Sequence, residues 1–276
     1  MSELVIVGID GSAHAWRALD WALEHARLHR RLIRLVHASR GLVADGSLPE
    51  ATLRRLVAER RDLLEEAQWY ASKRSSDLDV TTVLVTCEPG QALLDEAERA
   101  ALVVVGARGG GRIEELLLGS VSLHVAAHSR CPVLVVPRAA PYPPDAVPEI
   151  VVGVEGRGPE DRLLAWAFEE VSARAARLVA VHATGVEFGS PRRRIVEDIE
   201  LSEALVGWTT RYPDVDVIPT IDARSPAQAL LAASEKAGLV VVGARRRHGP
   251  PILAVGRVTH TVLHRSRCPV AVVPAE

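Results

Sequence analysis

At 276 residues, 48% hydrophobic and 25% charged, the chain has material for two ordinary globular domains with apolar cores. A net charge of -2 and an aromatic content of 4% exclude the basic footprint and stacking platforms of a nucleic-acid binder. No apolar run approaches the roughly 18 residues of a membrane helix, and MSELVIVGID carries no signal-peptide pattern, so residence in the cytoplasm is expected.

In chain order, LVIVGI (4–9) is an unbroken branched-apolar run that predicts a strand buried on both faces. HAWRALDWALEHARL (14–28) has helical spacing, with Trp16, Leu19, Ala22 or Leu23, and Ala26 on one face. RLIRLVHA predicts a strand and 49–73 a long helix; DVTTVLVT, QALLDEAERA and ALVVVG then read strand, helix, strand. VSLHVAAHS and PVLVVP add a last helix and strand. This alternation requires crossovers, hence a parallel sheet with helices on both faces.

The whole pattern is then written again. SRCPV stands at 129–133 and at 266–270, and LVVVGAR at 102–108 returns as LVVVGAR at 239–245, both shifted by 137 residues. Nearer the starts, VIVGID (5–10) matches IVVGVE (150–155), LVHA matches AVHA, and Trp21 matches Trp166, with a shift of 145. Two domains are expected, 1–138 and 148–276, joined by the proline-dense linker 138–149.

Ligands of open α/β sheets bind at the carboxyl ends of strands, near the switch point. Asp10-Gly11-Ser12 follows strand one, and Gly106-Ala107-Arg108-Gly109 follows strand four; nine residues later stand Gly119, Ser120 and Val121. Gly106 and Gly109 let backbone N–H groups approach a phosphate without a Cβ in the way. Ser120 is expected as an N-cap, where N–H groups and a hydroxyl welcome an anion. Asp10 could accept from a ribose hydroxyl or an adenine amine.

VGIDGS, LVHA and VVVGARGG…LLLGSVSLHVAAHSRCPVLVVP resemble the universal stress protein family in its tandem two-domain form. The resemblance implies two doubly wound five-stranded α/β domains of order 3-2-1-4-5. It implies ATP, with Gly8 and Asp10 against ribose and adenine, backbone at Ala38 on the adenine edge, and Gly106, Arg108, Gly109, Gly119, Ser120 and Val121 around the phosphates. Mg²⁺ is compatible with those phosphates, although no carboxylate cluster marks a site for it. The family pairs strand five of one domain with strand five of another, so an internal pseudo-dimer is expected, with room for a further homodimer. The protein partner is not named by the sequence.

Copy two departs from that pattern. Asp10 becomes Glu155, Ser12 becomes Arg157, Gly109 becomes Arg246 and Ser120 becomes Arg257, while Gly243 and Gly256 are kept. A side chain at 246 intrudes where backbone must meet phosphate, so an altered or empty site is expected, with Glu155 paired to Arg246 or Arg257. The function read here is a nucleotide-dependent regulator in the stress response, with ATP in copy one. The alternative is a slow ATP-hydrolysing or nucleotide-transferring enzyme. No general base beyond Asp10 is evident, which sets the regulator ahead and allows at most a weak ATPase.

Other readings fall away. There is no GxxxxGK[ST] and no nucleophile elbow around Ser120. His124/His128 and His260/His264 are four apart on helices, but the pairs do not align between copies and no carboxylate completes a set; no metal is expected there. PRRRIVED (191–198) reads as a solvated helix start. Cys131 and Cys268, each between Arg and Pro, read as small buried hydrophobes, and Cys87 forms no CxxC with them.

Overall fold

The computed structural model describes residues 3–39, 49–108, 118–137, 149–156, 160–185, 191–244 and 255–275, except the side chains of 191–194. The chain divides into two compact units, Met1–Arg138 and Ala139–Glu276. Most of the expected linker lies outside the described residues; Glu149, assigned to it, instead opens a strand.

In the first unit the elements run β1 (Leu4–Gly8), α1 (Ala13–His29), β2 (Leu32–Ala38), α2 (Glu50–Arg74), β3 (Val80–Val85), α3 (Pro89–Ala97), β4 (Leu102–Gly106), α4 (Ser120–His128) and β5 (Val133–Val136). The strands are parallel and ordered β3-β2-β1-β4-β5, the order that the sequence resemblance implied. The chain reverses direction across the sheet between β1 and β4, and this switch point opens a crevice at the strands' carboxyl ends.

The reason for this fold is visible in β1. Val5, Ile6 and Val7 are all 0% exposed, because helices cover both faces of the sheet. Burying a side chain of this kind stabilises by about 1.5–3 kcal/mol. Helix α1 turns Ala15, Ala18, Leu19, Ala22, Leu23 and Ala26 inward. Trp16 is only half-buried and meets Tyr70 of α2 edge-on, with ring centroids 5.2 Å apart.

The second unit repeats the plan with β6 (Glu149–Gly153), α5 (Asp161–Arg174), β7 (Arg177–Ala183), α6 (Pro191–Arg211), β8 (Asp216–Asp222), α7 (Pro226–Ala233), β9 (Leu239–Ala244), α8 (Arg257–Arg265) and β10 (Val270–Pro274). Its parallel order, β8-β7-β6-β9-β10, is that of the first unit. Phe168, fully buried on α5, packs against Trp208 and Tyr212 of α6, with centroids 5.9 and 5.5 Å away.

Candidate functional site

Two loops meet at the switch point of the first unit. The chain leaves β1 through Asp10-Gly11-Ser12, where the Ser12 N–H donates to Asp10 Oδ1 at 2.9 Å. Gly11 takes φ +79, a conformation that glycine adopts without cost. The Ser12 hydroxyl accepts from the Ala15 N–H at 3.2 Å and so caps α1. The same hydroxyl donates to the Arg108 carbonyl at 3.5 Å, tying the loop after β1 to the loop after β4.

The described ends of that second loop are also drawn together. The Gly119 N–H donates to Ala107 O at 2.7 Å, and Ser122 Oγ donates to Gly106 O at 2.7 Å. Gly106 is pressed by the first turn of α1: a Cβ there would lie 2.6 Å from His14 Cβ and 2.7 Å from its backbone carbon. Asp10 and Ser120 are exposed, and Gly8, Ala38, Arg108, Gly119 and Val121 are half-buried. Gly8 is aligned with Val36, and Ala38 ends β2 opposite Val85. Gly109 lies outside the described residues.

One local expectation is corrected. Ser120 is not the N-cap of α4 but its first helical residue. The cap is Gly119, in extended backbone at φ -76 and ψ 151, and its carbonyl already accepts from the Leu123 N–H at 3.0 Å. That first intrahelical bond defines the cap position. Ser120 therefore presents its hydroxyl from the first turn, beside the unpaired N–H groups that any helix start carries.

The second unit has the frame without the same lining. Thr259 Oγ1 donates to Gly243 O at 3.1 Å, as Ser122 does to Gly106. However, the turn after β6 is held by Glu160, whose carboxylate accepts from the Glu155 and Gly156 N–H groups at 2.8 and 3.1 Å. Gly256, equivalent to Gly119, takes φ +81 instead of an ordinary extended φ. A Cβ on Gly243 would meet only Leu163, at 3.8 Å. Arg157 and Arg246 lie outside the described residues, and with Arg246 goes one of the two partners expected for Glu155.

The sequence reading missed a residue in this unit. Glu197, placed in a solvated helix start, is 6% exposed, and its Oε2 lies 2.8 Å from His182 Nε2. Ile195 and Val196 beside it do face solvent. Helical period could have placed Glu197 inward, since Leu201 and Leu205 follow it at four-residue steps and are buried.

The helical histidines have ordinary explanations. His128 Nδ1 lies 2.8 Å from the His124 carbonyl, and a Cβ on Gly90 of α3 would meet His124 Cδ2 at 2.7 Å. Burial, and secondly the neighbouring histidine, lower the pKa of His124 and of His264. Burial pushes the Cys268 thiol up to about 11, which keeps it protonated and unreactive at neutral pH. Among the described residues, no helix is long and apolar enough to cross a membrane.

Comparison with known proteins bears on the family and the fold. Residues 1–137 and 147–274 each match the universal stress protein family. A universal stress protein of Mycobacterium tuberculosis is 36% identical over 286 residues, covering 97% of this chain and 95% of that protein. Another from the same organism is 32% identical over 288 residues, covering 97% and 96%. Among solved structures, a universal stress protein from Archaeoglobus fulgidus superposes with a TM-score of 0.73 at 20% identity, covering 98% of this chain and 96% of that one.

Proposed function

The chain belongs to the universal stress protein family, and on that premise we propose that it is a nucleotide-dependent regulator of the stress response that binds one ATP in its first unit. The observation that carries this reading is the junction of the two loops at β1 and β4, where Ser12 reaches Arg108 O and Gly119 reaches Ala107 O. It brings the acid of one loop and the glycines and hydroxyl of the other to one crevice. Asp10 would take the ribose and adenine with Gly8 and Ala38. Gly106, Arg108, Gly109, Gly119, Ser120 and Val121 would surround the phosphates. Mg²⁺, if bound with the nucleotide, would offset phosphate charge; no carboxylate cluster of the sequence marks a protein site for it.

The proposal makes the protein a binder. Asp10 is exposed and its Oδ1 accepts from the Ser12 N–H, an arrangement that suits holding a hydroxyl more than polarising water. Isothermal titration of the full chain with ATP is expected to give one site, and two equivalent sites would overturn the reading. Hydrolysis followed by ADP release over hours separates the slow-enzyme alternative. Ser120→Ala is expected to weaken ATP binding roughly tenfold with the melting profile kept, since a hydrogen bond to a charged group is worth about 1.5–3 kcal/mol.

Under the same proposal the second unit persists as a partner. Strand β5 ends the order of the first unit, and Val133 to Val136 offer an apolar edge of the kind that invites pairing. Fragment 1–138 is therefore expected to self-associate by light scattering. A monomeric fragment at high concentration would show that this strand needs no partner.

A further inference from the structure

At the carboxyl end of β7 the second unit holds three metal-ligating side chains that the fold does not require. His182, on β7, and Glu197 and Glu200, one turn apart on α6, place one ligand atom each within 4.8 Å of the others. His182 and Glu197 are each 6% exposed, and Glu200 is half-buried. His182 Nδ1 lies 3.0 Å from the carbonyl of Val154. A carbonyl can only accept, so Nδ1 donates to Val154, which aims Nε2 at Glu197 Oε2, 2.8 Å away. A ring fixed by Nδ1–H to a carbonyl, with Nε2 turned to carboxylates, is the customary setting of a metal-bound histidine.

The first unit shows which residues are additional. His37 makes the same bond, Nδ1 to Ile9 O at 2.6 Å, and its buried Nε2 has no hydrogen-bond partner among the described residues. Among the described residues, therefore, this histidine is kept with no carboxylate bonded to its Nε2. A Cβ on Gly11 would meet Leu63 at 3.5 Å, and one on Gly156 would meet Glu200 Cβ at 3.6 Å, so positions 63 and 200 correspond. One helical turn earlier, Arg60 corresponds to Glu197. A cation and an apolar residue in one copy stand where the other has two acids, around a shared histidine.

We propose that His182 Nε2, Glu197 and Glu200 form a binding site for a divalent transition metal of the zinc class. One imidazole nitrogen and two carboxylates suit such an ion, whereas Ca²⁺ takes 6–8 oxygens. Three protein ligands leave a coordination position for water or a small anion. The site is independent of the nucleotide proposed for the first unit.

The test uses the full chain without added histidines, stripped with chelator and titrated with Zn²⁺ by calorimetry and with Co²⁺ by visible absorption. The unaltered chain is expected to bind and to melt at a higher temperature with Zn²⁺, by linkage. Glu197→Gln and Glu200→Gln are each expected to lower affinity by more than the roughly 10–100-fold that loss of an outer partner costs. His124→Asn, on a separate helical pair, is expected to leave binding unchanged. Glu200→Gln keeps the His182–Glu197 pair, so it decides the matter if Glu197→Gln fails to fold. No Zn²⁺ binding, or equal binding in the unaltered chain and Glu200→Gln, overturns the site.

Discussion

Gly106→Ala is expected to destabilise the first unit by about 3 kcal/mol and to abolish its nucleotide binding, while Gly243→Ala, at the equivalent position of the second unit, stays within about 0.5 kcal/mol of the parent. The two glycines occupy the same place in the same strand, so propensity alone would give them one answer. Their surroundings differ. A Cβ on Gly106 would stand 2.6, 2.7 and 2.9 Å from the Cβ, carbonyl carbon and carbonyl oxygen of His14, and backbone atoms cannot swing aside. On Gly243 the nearest atom is a leucine methyl at 3.8 Å, an ordinary contact. In the first unit α1 must back away from β4, carrying with it Ser12, whose hydroxyl holds Arg108 O. Urea melts of the two variants read the stability difference, and calorimetry with ATP reads the site. Equal destabilisation by both substitutions would show that the close approach at Gly106 relaxes freely.

Gly109→Arg is expected to lower ATP affinity by about 5- to 100-fold without unfolding the chain. The substitution writes the residue of copy two, Arg246, into copy one. A positive side chain could in principle attract phosphate. The proposed contact, however, is backbone to phosphate, and a bulky group in that gap costs about 1–3 kcal/mol by crowding alone, each 1.4 kcal/mol being tenfold in affinity. Gly109 itself lies outside the described residues, but Arg108 before it and Gly119 after it are both fixed by hydrogen bonds. Calorimetry on the folded variant measures the loss. Unchanged affinity would place the phosphates elsewhere in the crevice.

How far the sequence carried this protein depends on how local each cause is. Strands such as LVIVG and LVVVG announce themselves, because burial on both faces demands an unbroken apolar run, and the repeat gives each reading a second trial. The parallel order followed from alternation, together with the family resemblance. The boundary at Ser120 did not, because whether a residue caps a helix or begins it depends on one backbone angle pair, here that of Gly119. The candidate site was legible as a set of glycines and an acid, since these are adjacent in sequence to the strands that carry them.

Contacts between residues far apart in the chain belong to the folded molecule alone. Nothing in GARGGG distinguishes Gly106, jammed against His14, from Gly243, which has room beside Leu163; the difference is the path of a helix more than ninety residues away, as the 96-residue span of the Ser12–Arg108 bond illustrates. Nor did the charge balance of PRRRIVED disclose Glu197; the period shared with Leu201 and Leu205 marks its inward face, but only the fold sets His182 opposite it. Two doubly wound units, and the second copy's departure from the glycine pattern of the first, were already written in the residues. The units rest on period and repeat, and the departure on the resemblance that supplies the pattern. Packing decided which glycine is pressed by backbone and which glutamate is buried against a histidine, because a distance between elements is a property of the folded chain and of no segment within it.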